Sequence, residues 1–183
     1  MSAAAFLDVV IGLGSNLGDR RGHLCAAAVS LRRLGRLVAA SSLYETVAVG
    51  GPPQPSFLNA AVRLATPLSP SDLLERLHAV EVSRGRVRYQ RWGPRTLDLD
   101  LLWARGLLLV GSDLTVPHPR LAERAFAMIP LVEVAPDAAD PADEVLYADR
   151  VALIDQGGVT RVGSFEQTGV QALQAAGPVP RFE

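Results

Sequence analysis

The sequence predicts an α+β domain in which helices pack on an antiparallel sheet. Two observations carry this prediction. Segments rich in branched apolar residues alternate with segments whose apolar residues recur every three or four positions, and they occur in the order strand, helix, strand, strand, helix, strand. A chain of 183 residues is also long enough for one compact core, which would bury roughly 70% of the extended-chain surface.

The first two elements lie on either side of a glycine-rich turn. A buried strand is expected over residues 6–13, because FLDVVIGL is apolar and stops at the turn cluster GSNLGD. A helix is expected over residues 20–34, with Asp19 as a cap and Gly35 at its end. Its apolar face would consist of Leu24, Ala27, Ala28, Leu31 and Leu34.

The next four segments complete the unit. Strands are expected over 37–46 and 57–65, and the connection between them is too rich in Gly and Pro, and too long, for a tight hairpin. A second helix should start at Ser69-Pro70 and end at Gly85, before a strand over 97–103. This order is that of the ferredoxin-like βαββαβ unit, in which helices cover one face of the sheet.

The remaining chain is less regular. Residues 107–110 could add a strand, and 121–135 predict a short helix closed by Pro136. We therefore place a catalytic domain at 1–136 and a C-terminal extension at 137–183. Within the extension, the alternation around Gly157-Gly158 predicts a hairpin, followed by a poorly ordered tail.

Composition excludes several classes of protein. The net charge of −1 gives no overall field that would attract nucleic acid or anionic lipid. All 18 basic residues are Arg, so a Walker-type phosphate loop and a lysine Schiff base are both excluded. The single cysteine, Cys25, and the lack of an 18-residue apolar run predict a cytoplasmic protein with no membrane contact, and we expect a monomer.

Asp98 and Asp100 are the most informative residues. On a strand, residues two apart point to the same face, about 7 Å apart. Two ionised carboxylates at that distance repel by roughly 2 kcal/mol at an effective dielectric constant near 20. Their face could therefore be solvated surface, an arginine-paired surface or a metal site.

An arginine-rich segment precedes this strand. Arg84, Arg86, Arg88, Arg91 and Arg95 surround a Trp-Gly-Pro sequence. Guanidinium groups bind phosphate oxygens bidentately, and paired carboxylates suit Mg²⁺, which shares its coordination shell with phosphates. The combination favours a magnesium polyphosphate site, although arginines that merely neutralise nearby acids would give the same pattern.

Longer motifs resemble those of the 6-hydroxymethyl-7,8-dihydropterin pyrophosphokinase family of folate biosynthesis. The motifs are RWGPRTLDLDLL (91–102), GSNLGD (14–19), QPSFLNAAV (54–62), GRVR (85–88) and TVPHPRLAERAF (115–126). They follow the order and spacing of that family over roughly residues 8–136, and the family has the ferredoxin-like fold.

The resemblance implies that the protein transfers pyrophosphate from MgATP to the hydroxymethyl oxygen of the pterin and releases AMP. It implies that Asp98 and Asp100 hold two Mg²⁺ ions, and that these carboxylates together with Arg86 and Arg95 form the catalytic group. The residues that would bind ATP are Glu81, Arg86, Arg88, Trp92, Arg95, His118 and Arg124. The residues that would bind pterin are Thr46, Val47, Val49, Phe57, Asn59 and Phe126, with the two phenylalanines stacking on the ring.

Two segments, 47–56 and 84–94, are expected to move as lids that exclude water. Two other functions compete with the kinase hypothesis. An RNA-binding module has the same topology, but it needs exposed aromatic residues where this strand carries Asp98 and Asp100. A non-catalytic nucleotide sensor would have the same site and would differ only in turnover. The glycines at 12, 14 and 18 do not match the G-x-G-x-x-G spacing of a dinucleotide site.

Overall fold

A computed structural model describes residues 6–86 and 93–165, and it has mixed α and β structure. The strands are β1 (Leu7–Ser15), β2 (Arg36–Ala40), β3 (Ser42–Thr46), β4 (Phe57–Thr66), β5 (Asp98–Ala104), β6 (Leu109–Val110), β7 (Thr115–Val116) and β8 (Val159–Ser164). The helices are α1 (Arg20–Leu31), α2 (Pro70–Ser83), α3 (Ala125–Val134) and α4 (Tyr147–Leu153), with a short 3-10 helix at Leu121–Glu123.

Six of these strands form one antiparallel sheet, as the sequence predicts. The order is β5-β1-β4-β3-β8, and β2 also pairs with β4. The predicted strand 37–46 is thus two strands, separated at Ser41. The Ser41 hydroxyl accepts a hydrogen bond from the Ala61 amide (2.8 Å) and donates one to the Ser42 carbonyl (2.7 Å), which stabilises the break between the two strands.

The helices start where local sequence favours them. Asp19 caps α1 by accepting a hydrogen bond from the Gly22 amide (2.9 Å), and Ser69 caps α2 with Pro70 as its first residue. Helix α1 ends at Leu31, three residues before the predicted end. The predicted helix 121–135 is interrupted at Arg124, whose extended backbone separates the 3-10 helix from α3.

The two helices of the predicted βαββαβ unit cover one face of the sheet, and two further helices cover the other face, which that pattern does not predict. Helices α1 and α2 bury Val9, Ile11 and Leu13 on one face, whereas α3 and α4 pack on the opposite face. The second core is lined by Val10, Ala61, Leu102 and Trp103 of the sheet with Met128, Leu131 and Tyr147 of the helices. Successive residues of β1 point to opposite faces of the sheet, and apolar residues occur at both sets of positions. The strand therefore contributes to both cores.

The C-terminal segment also differs from its prediction. No hairpin forms around Gly157-Gly158. Instead, residues 147–153 are helix α4, and β8 pairs with β3. The alternation over β8 does predict a strand, but the partner of that strand lies more than 100 residues earlier in the chain. The expected tail lies outside the described residues. Within 6–86 and 93–165, no helix combines the length and apolar character needed to cross a membrane.

Candidate active site

A cavity of about 690 Å³ opens on the sheet face that α3 only partly covers. Its floor is the end of β1, where Gly14 lies between Asp98 of β5 and Asn59 of β4, and Gly12 lies beside Asp100. A Cβ atom on Gly14 would lie 3.1 Å from Asn59 Oδ1, and one on Gly12 would lie 3.0 Å from the Leu102 side chain. Glycine, which has no Cβ atom, therefore leaves the floor of the cavity unobstructed at these two positions.

Asp98 and Asp100 both line the cavity, as their spacing on one strand predicts. Two arginines contact Asp98. Arg86 Nη1 lies 2.6 Å from Asp98 Oδ1, and Arg95 Nη1 lies 2.8 Å from Asp98 Oδ2. Each carboxylate oxygen therefore has a guanidinium partner, and both guanidinium groups lie at the cavity wall.

Glu81 supports this cluster from helix α2. Its side chain is 2% exposed, accepts a hydrogen bond from the Leu99 amide (2.7 Å), and contacts Arg86 Nη1. Burial raises the pKa of Glu81 above its usual value, although the Leu99 hydrogen bond and the Arg86 charge act in the opposite direction. Glu81 thus holds Arg86 from behind and satisfies an amide on the outer edge of β5.

Asp100 is in a different electrostatic position. Burial, and then the negative charge of Asp98, raise the pKa of Asp100 to about 7. Among residues 6–86 and 93–165, no Arg or His lies within ion-pair distance of its carboxylate. The charges of Arg124 and Arg86 act in the opposite direction but do not outweigh these effects, so an additional cation in the cavity would stabilise the carboxylate.

The donor set suits Mg²⁺ bound together with phosphate. The described residues contain no cluster of three or more His, Cys, Asp and Glu side chains arranged to hold a metal ion. Two carboxylates on one face, Asp98 and Asp100, are present instead. Mg²⁺ is commonly bound by one or two carboxylates with the remaining positions taken by water and substrate phosphates, so the residues fit this ion.

A second, cationic wall follows β7. His118, Arg120 and Arg124 line the cavity, and the His118 amide donates a hydrogen bond to the Leu102 carbonyl of β5 (2.8 Å). Burial, and then the positive charge of Arg124, lower the pKa of His118, so its imidazole is neutral at pH 7. Arg120 forms an exposed ion pair with Glu123 (3.2 Å).

Two aromatic rings complete the cavity. The guanidinium carbon of Arg95 lies 5.7 Å from the centre of the Phe57 ring, and that of Arg124 lies 5.8 Å from the Phe126 ring. Asn59 Nδ2 donates a hydrogen bond to Thr46 Oγ1 (2.7 Å) at the base of the same wall. Aromatic faces beside a buried amide and hydroxyl suit a flat, polar heterocycle.

Asn16 connects two segments that contribute to the cavity lining. Its Oδ1 accepts a hydrogen bond from the Arg95 amide (2.7 Å), and its own amide donates to the Arg95 carbonyl (3.1 Å). Its Nδ2 donates to Gln54 Oε1 (2.9 Å) and to the Pro55 carbonyl (3.1 Å). One buried side chain therefore links the segment that carries Arg95 to the loop 47–56.

Every predicted site residue that the structure describes lines this cavity. Arg88 and Trp92 lie outside the described residues, and so does most of the predicted lid 84–94. The predicted site residues do not include Gly12, Gly14, His78 and Arg120, which line the cavity, or Asn16, which supports its lining. A signal existed for two of these residues. His78 is three positions before Glu81 on one helix face, and Arg120 belongs to the same VPHPR motif as His118.

Known proteins resemble this chain in sequence. The model of the 7,8-dihydro-6-hydroxymethylpterin-pyrophosphokinase family matches residues 10–136. A 2-amino-4-hydroxy-6-hydroxymethyldihydropteridine pyrophosphokinase of Pseudomonas aeruginosa is 47% identical over 131 residues, which are 70% of this chain and 81% of the relative. The enzyme of that name from Methylorubrum extorquens is 42% identical over 154 residues, covering 83% and 96%.

Solved structures resemble the chain in fold. The crystal structure of Plasmodium falciparum HPPK-DHPS with SDX-DHP aligns with a TM-score of 0.66 at 12% identity, over 85% of this chain and 48% of that chain. This chain therefore spans about half the length of that two-part protein. At this identity the likeness supports the fold alone.

Proposed function

The chain belongs to the 7,8-dihydro-6-hydroxymethylpterin-pyrophosphokinase family, and on that premise we propose that it is an ATP-dependent pyrophosphokinase. It transfers pyrophosphate from MgATP to the hydroxymethyl group of 6-hydroxymethyl-7,8-dihydropterin and releases AMP. One observation carries the proposal. A single cavity combines the paired carboxylates Asp98 and Asp100, the arginines that surround them, and the Phe57 and Phe126 rings.

Asp98 and Asp100 hold the metal in this proposal. Two Mg²⁺ ions bound here with ATP would neutralise phosphate charge and polarise the β-phosphorus. Asp100 has no cationic partner among the described residues and is the more available of the two carboxylates. Asp98 becomes available when Arg86 and Arg95 leave it for phosphate oxygens.

Arg86 and Arg95 are the main phosphate ligands. Both guanidinium groups contact Asp98 in the protein without ligand, so they are already oriented toward the place where the metal-bound triphosphate would lie. Glu81 keeps its contact with Arg86 during this exchange and limits the movement of the guanidinium group. Positioned charges of this kind contribute most of the catalysis in phosphoryl-type transfer.

The reaction needs one bond to form and one to break. The hydroxymethyl oxygen of the pterin attacks the β-phosphorus of ATP, and its proton passes to water. The bond between the β-phosphorus and the α,β-bridging oxygen breaks, and AMP leaves with that oxygen and the electron pair. His118 and Arg124, on the wall opposite Arg95, bind phosphate oxygens of the nucleotide and stabilise the charge that develops on AMP.

The pterin lies between the Phe57 and Phe126 rings in this proposal. Asn59 and Thr46 hydrogen-bond to each other at the base of the wall and would hydrogen-bond to the ring edge, together with the backbone at Val47 and Val49. The side chains of Val47 and Val49 are 69% and 76% exposed, so a bound ring could cover them. Covering apolar surface would add to the affinity.

We extend the proposal to the finer fold and to the domain limits. The strand order β5-β1-β4 with β2 and β3 beyond it supports a ferredoxin-like βαββαβ unit whose second strand is split. The family match to residues 10–136 supports a catalytic unit at 1–136. We also propose a cytoplasmic monomer, because ATP is an intracellular substrate and one chain forms a cavity with both substrate walls.

The test is to incubate the protein with MgATP and 6-hydroxymethyl-7,8-dihydropterin and to separate the nucleotides by chromatography. We expect AMP and a diphosphorylated pterin in equal amounts. Release of ADP would refute the proposed bond cleavage, and nucleotide binding without turnover would identify a sensor instead.

Substitutions test the metal assignment. Asp98→Asn and Asp100→Asn should each remove most of the AMP production, whereas the matched change Asp137→Asn, at a carboxylate outside the cavity, should leave it intact. Full activity of both cavity variants would refute the assignment.

A further inference from the structure

Strand β8 of the C-terminal extension pairs with the strand that leads into the proposed pterin wall. Five residue pairs join β8 to β3, from Ser42 with Ser164 to Thr46 with Val159. Only three pairs join β3 to β4. More of the pairing that holds β3 therefore comes from the extension than from the central sheet.

The pairing reaches residues of the cavity directly. Thr46 lies between Val159 of β8 and Phe57 of β4, and Tyr44 lies between Arg161 and Asn59. Phe57, Asn59 and Thr46 all line the cavity. The cross-strand pairs that include these cavity residues therefore extend from β4 through β3 to β8. Loop 47–56 begins directly after Thr46, which pairs with Val159.

Side chains anchor β8 at its far end. Arg161 Nε donates a hydrogen bond to Ser42 Oγ (2.7 Å), and Phe165, just after the strand, is 2% exposed within the main apolar core. Glu133 of α3 holds the same region of β3, accepting hydrogen bonds from Ser42 Oγ (2.7 Å) and the Tyr44 hydroxyl (2.8 Å). Strand β3 is thereby fixed from two independent elements.

We infer that β8 is a positioning element for the pterin wall: by pairing with Glu45 and Thr46 it fixes the stem of loop 47–56 and hence the side chains that receive the pterin. Without β8, β3 would be an edge strand with open backbone groups directly before the loop. The side chains of Val47 and Val49 are largely exposed, so the first part of the loop has little packing of its own, whereas Asn16 holds the far part at Gln54 and Pro55. Small displacements of a binding group are costly, since about 1 Å can reduce a rate ~100-fold.

Two proline variants of the full chain, Thr160→Pro and Arg161→Pro, test this inference. N–H groups of neighbouring residues in an antiparallel strand alternate between the partner strand and the outside. One of the two prolines therefore removes a hydrogen bond to β3, and the other removes an N–H that faces solvent and serves as the matched control. Arg150→Ala provides a second control, because it removes ion pairs of the extension that do not involve β3.

We expect the proline that removes the hydrogen bond to weaken pterin binding, measured with a nonhydrolysable ATP analogue present, by about tenfold. The affinity for the ATP analogue alone should change less than about twofold. Amide hydrogen exchange over residues 43–50 should accelerate in the protein without ligand. Arg150→Ala should leave all three quantities near their original values, and the other proline should change them no more than Arg161→Ala, which removes the side-chain hydrogen bond to Ser42 without altering the backbone.

Equal losses of pterin and nucleotide affinity, or faster exchange with unchanged pterin affinity, would overturn the inference. If both prolines prevent folding, Arg161→Ala decides the matter, because it keeps the backbone and removes only the hydrogen bond to Ser42. It should give a smaller effect in the same direction, and its absence would equally overturn the inference. The inference depends on the proposed function for the identity of the ligand. Failure of the unmodified chain to bind pterin would refute that function, while the exchange measurement would still judge the support of the loop by β8.

Discussion

Two clusters of acids and arginines lie at opposite ends of β1, and they differ in how their charges are matched. At the start of the strand, Asp8 is 2% exposed and accepts from Arg63 (2.7 Å) and Arg105 (2.8 Å). Asp137 completes a ring by contacting the same two arginines at 3.2 and 2.6 Å. Two carboxylates and two guanidinium groups are thus paired with one another.

The cluster at the other end of β1 is open. Asp98 has two arginine partners, but Asp100 and Arg124 have no ion pair within the described part of the chain, and both face the cavity. The residue types are the same in both clusters. We infer that unmatched charge, rather than the presence of charge, marks a site suited to a charged ligand and separates it from a cluster that stabilises the fold.

The largest expected effect is at the open cluster. Asp100→Asn should lower AMP production by at least ~1,000-fold, within the range of several kcal/mol that metal-ion catalysis supplies. The free energy of unfolding should rise, because repulsion between Asp98 and Asp100 is removed. Steady-state kinetics and urea denaturation of the same preparation measure both. A variant that loses activity because it is less stable would contradict the comparison.

The cluster of Asp8, Arg63, Arg105 and Asp137, which we call the closed cluster, should respond in the opposite way: stability should fall and activity should be unchanged. Asp8→Asn leaves the partly buried Arg63 and the more exposed Arg105 with Asp137 as their remaining charged partner, which should lower the free energy of unfolding by about 2 kcal/mol. The kcat and KM of the folded protein should stay unchanged, because Asp8 lies outside the cavity. Urea denaturation and kinetics well below the unfolding transition are the measurements. The control is the double change Asp8→Leu with Arg63→Met, which should cost less stability than the single change.

A pair of arginine substitutions gives a smaller contrast. Arg124→Gln should weaken binding of a nonhydrolysable ATP analogue by about tenfold, as expected for one charge-assisted phosphate contact. Burial lowers the pKa of Arg124, so its charge has an unfavourable environment, and the unfolding free energy should change by less than ~0.5 kcal/mol. Arg63→Gln should do the opposite, with lower stability and unchanged affinity. Titration calorimetry would contradict the comparison if both variants lost nucleotide binding equally.

The smallest effect is the pH dependence of the closed cluster. Burial alone would raise the pKa of Asp137, but the Arg105 hydrogen bond and the charges of Arg63 and Arg105 outweigh it and hold this pKa below its usual value. The stabilisation that ionised Asp137 gives the folded protein is therefore complete above the unfolded-state pKa of about 4. It is lost as the pH falls through the pKa of Asp137 in the folded state.

Asp137→Asn tests this dependence. The difference in unfolding free energy between the original protein and Asp137→Asn should be below ~1 kcal/mol at pH 7, because Asp137 is half exposed. The difference should shrink between pH 5 and pH 3, as measured by urea denaturation. A difference that grows in acid would be inconsistent with this assignment.

Much of the open cluster could be predicted from sequence, because its residues are close together in the chain. Asp98 and Asp100 share a face through the period of two in a strand, and Arg86 and Arg95 lie within fourteen positions of both. The shared cavity of the described residues agrees with that expectation. The proposed pterin-binding residues could be predicted only from the resemblance to the family. Phe57 and Asn59 have no local sequence feature that distinguishes them from ordinary core or surface residues.

The closed cluster could not be predicted, because its four residues come from distant segments. Asp8, Arg63, Arg105 and Asp137 meet only when β1, β4 and the ends of β5 and α3 are in place, and no spacing along the chain indicates this. The same reason explains the hairpin error in the extension. The alternation of β8 was present in the sequence, but pairing with β3 depends on an edge that exists only after the sheet has formed.

Gly12 and Gly14 set the depth of the cavity, because no side chain rises from the sheet at these positions. A methyl group at Gly12 would place its carbon 3.0 Å from the Leu102 side chain, and one at Gly14 would place it 3.1 Å from Asn59 Oδ1. A methyl group at either position would require the Leu102 or Asn59 side chain to move by a few tenths of an ångström, even though neither glycine contributes a functional group. The depth of the cavity therefore depends on two positions that carry no side chain.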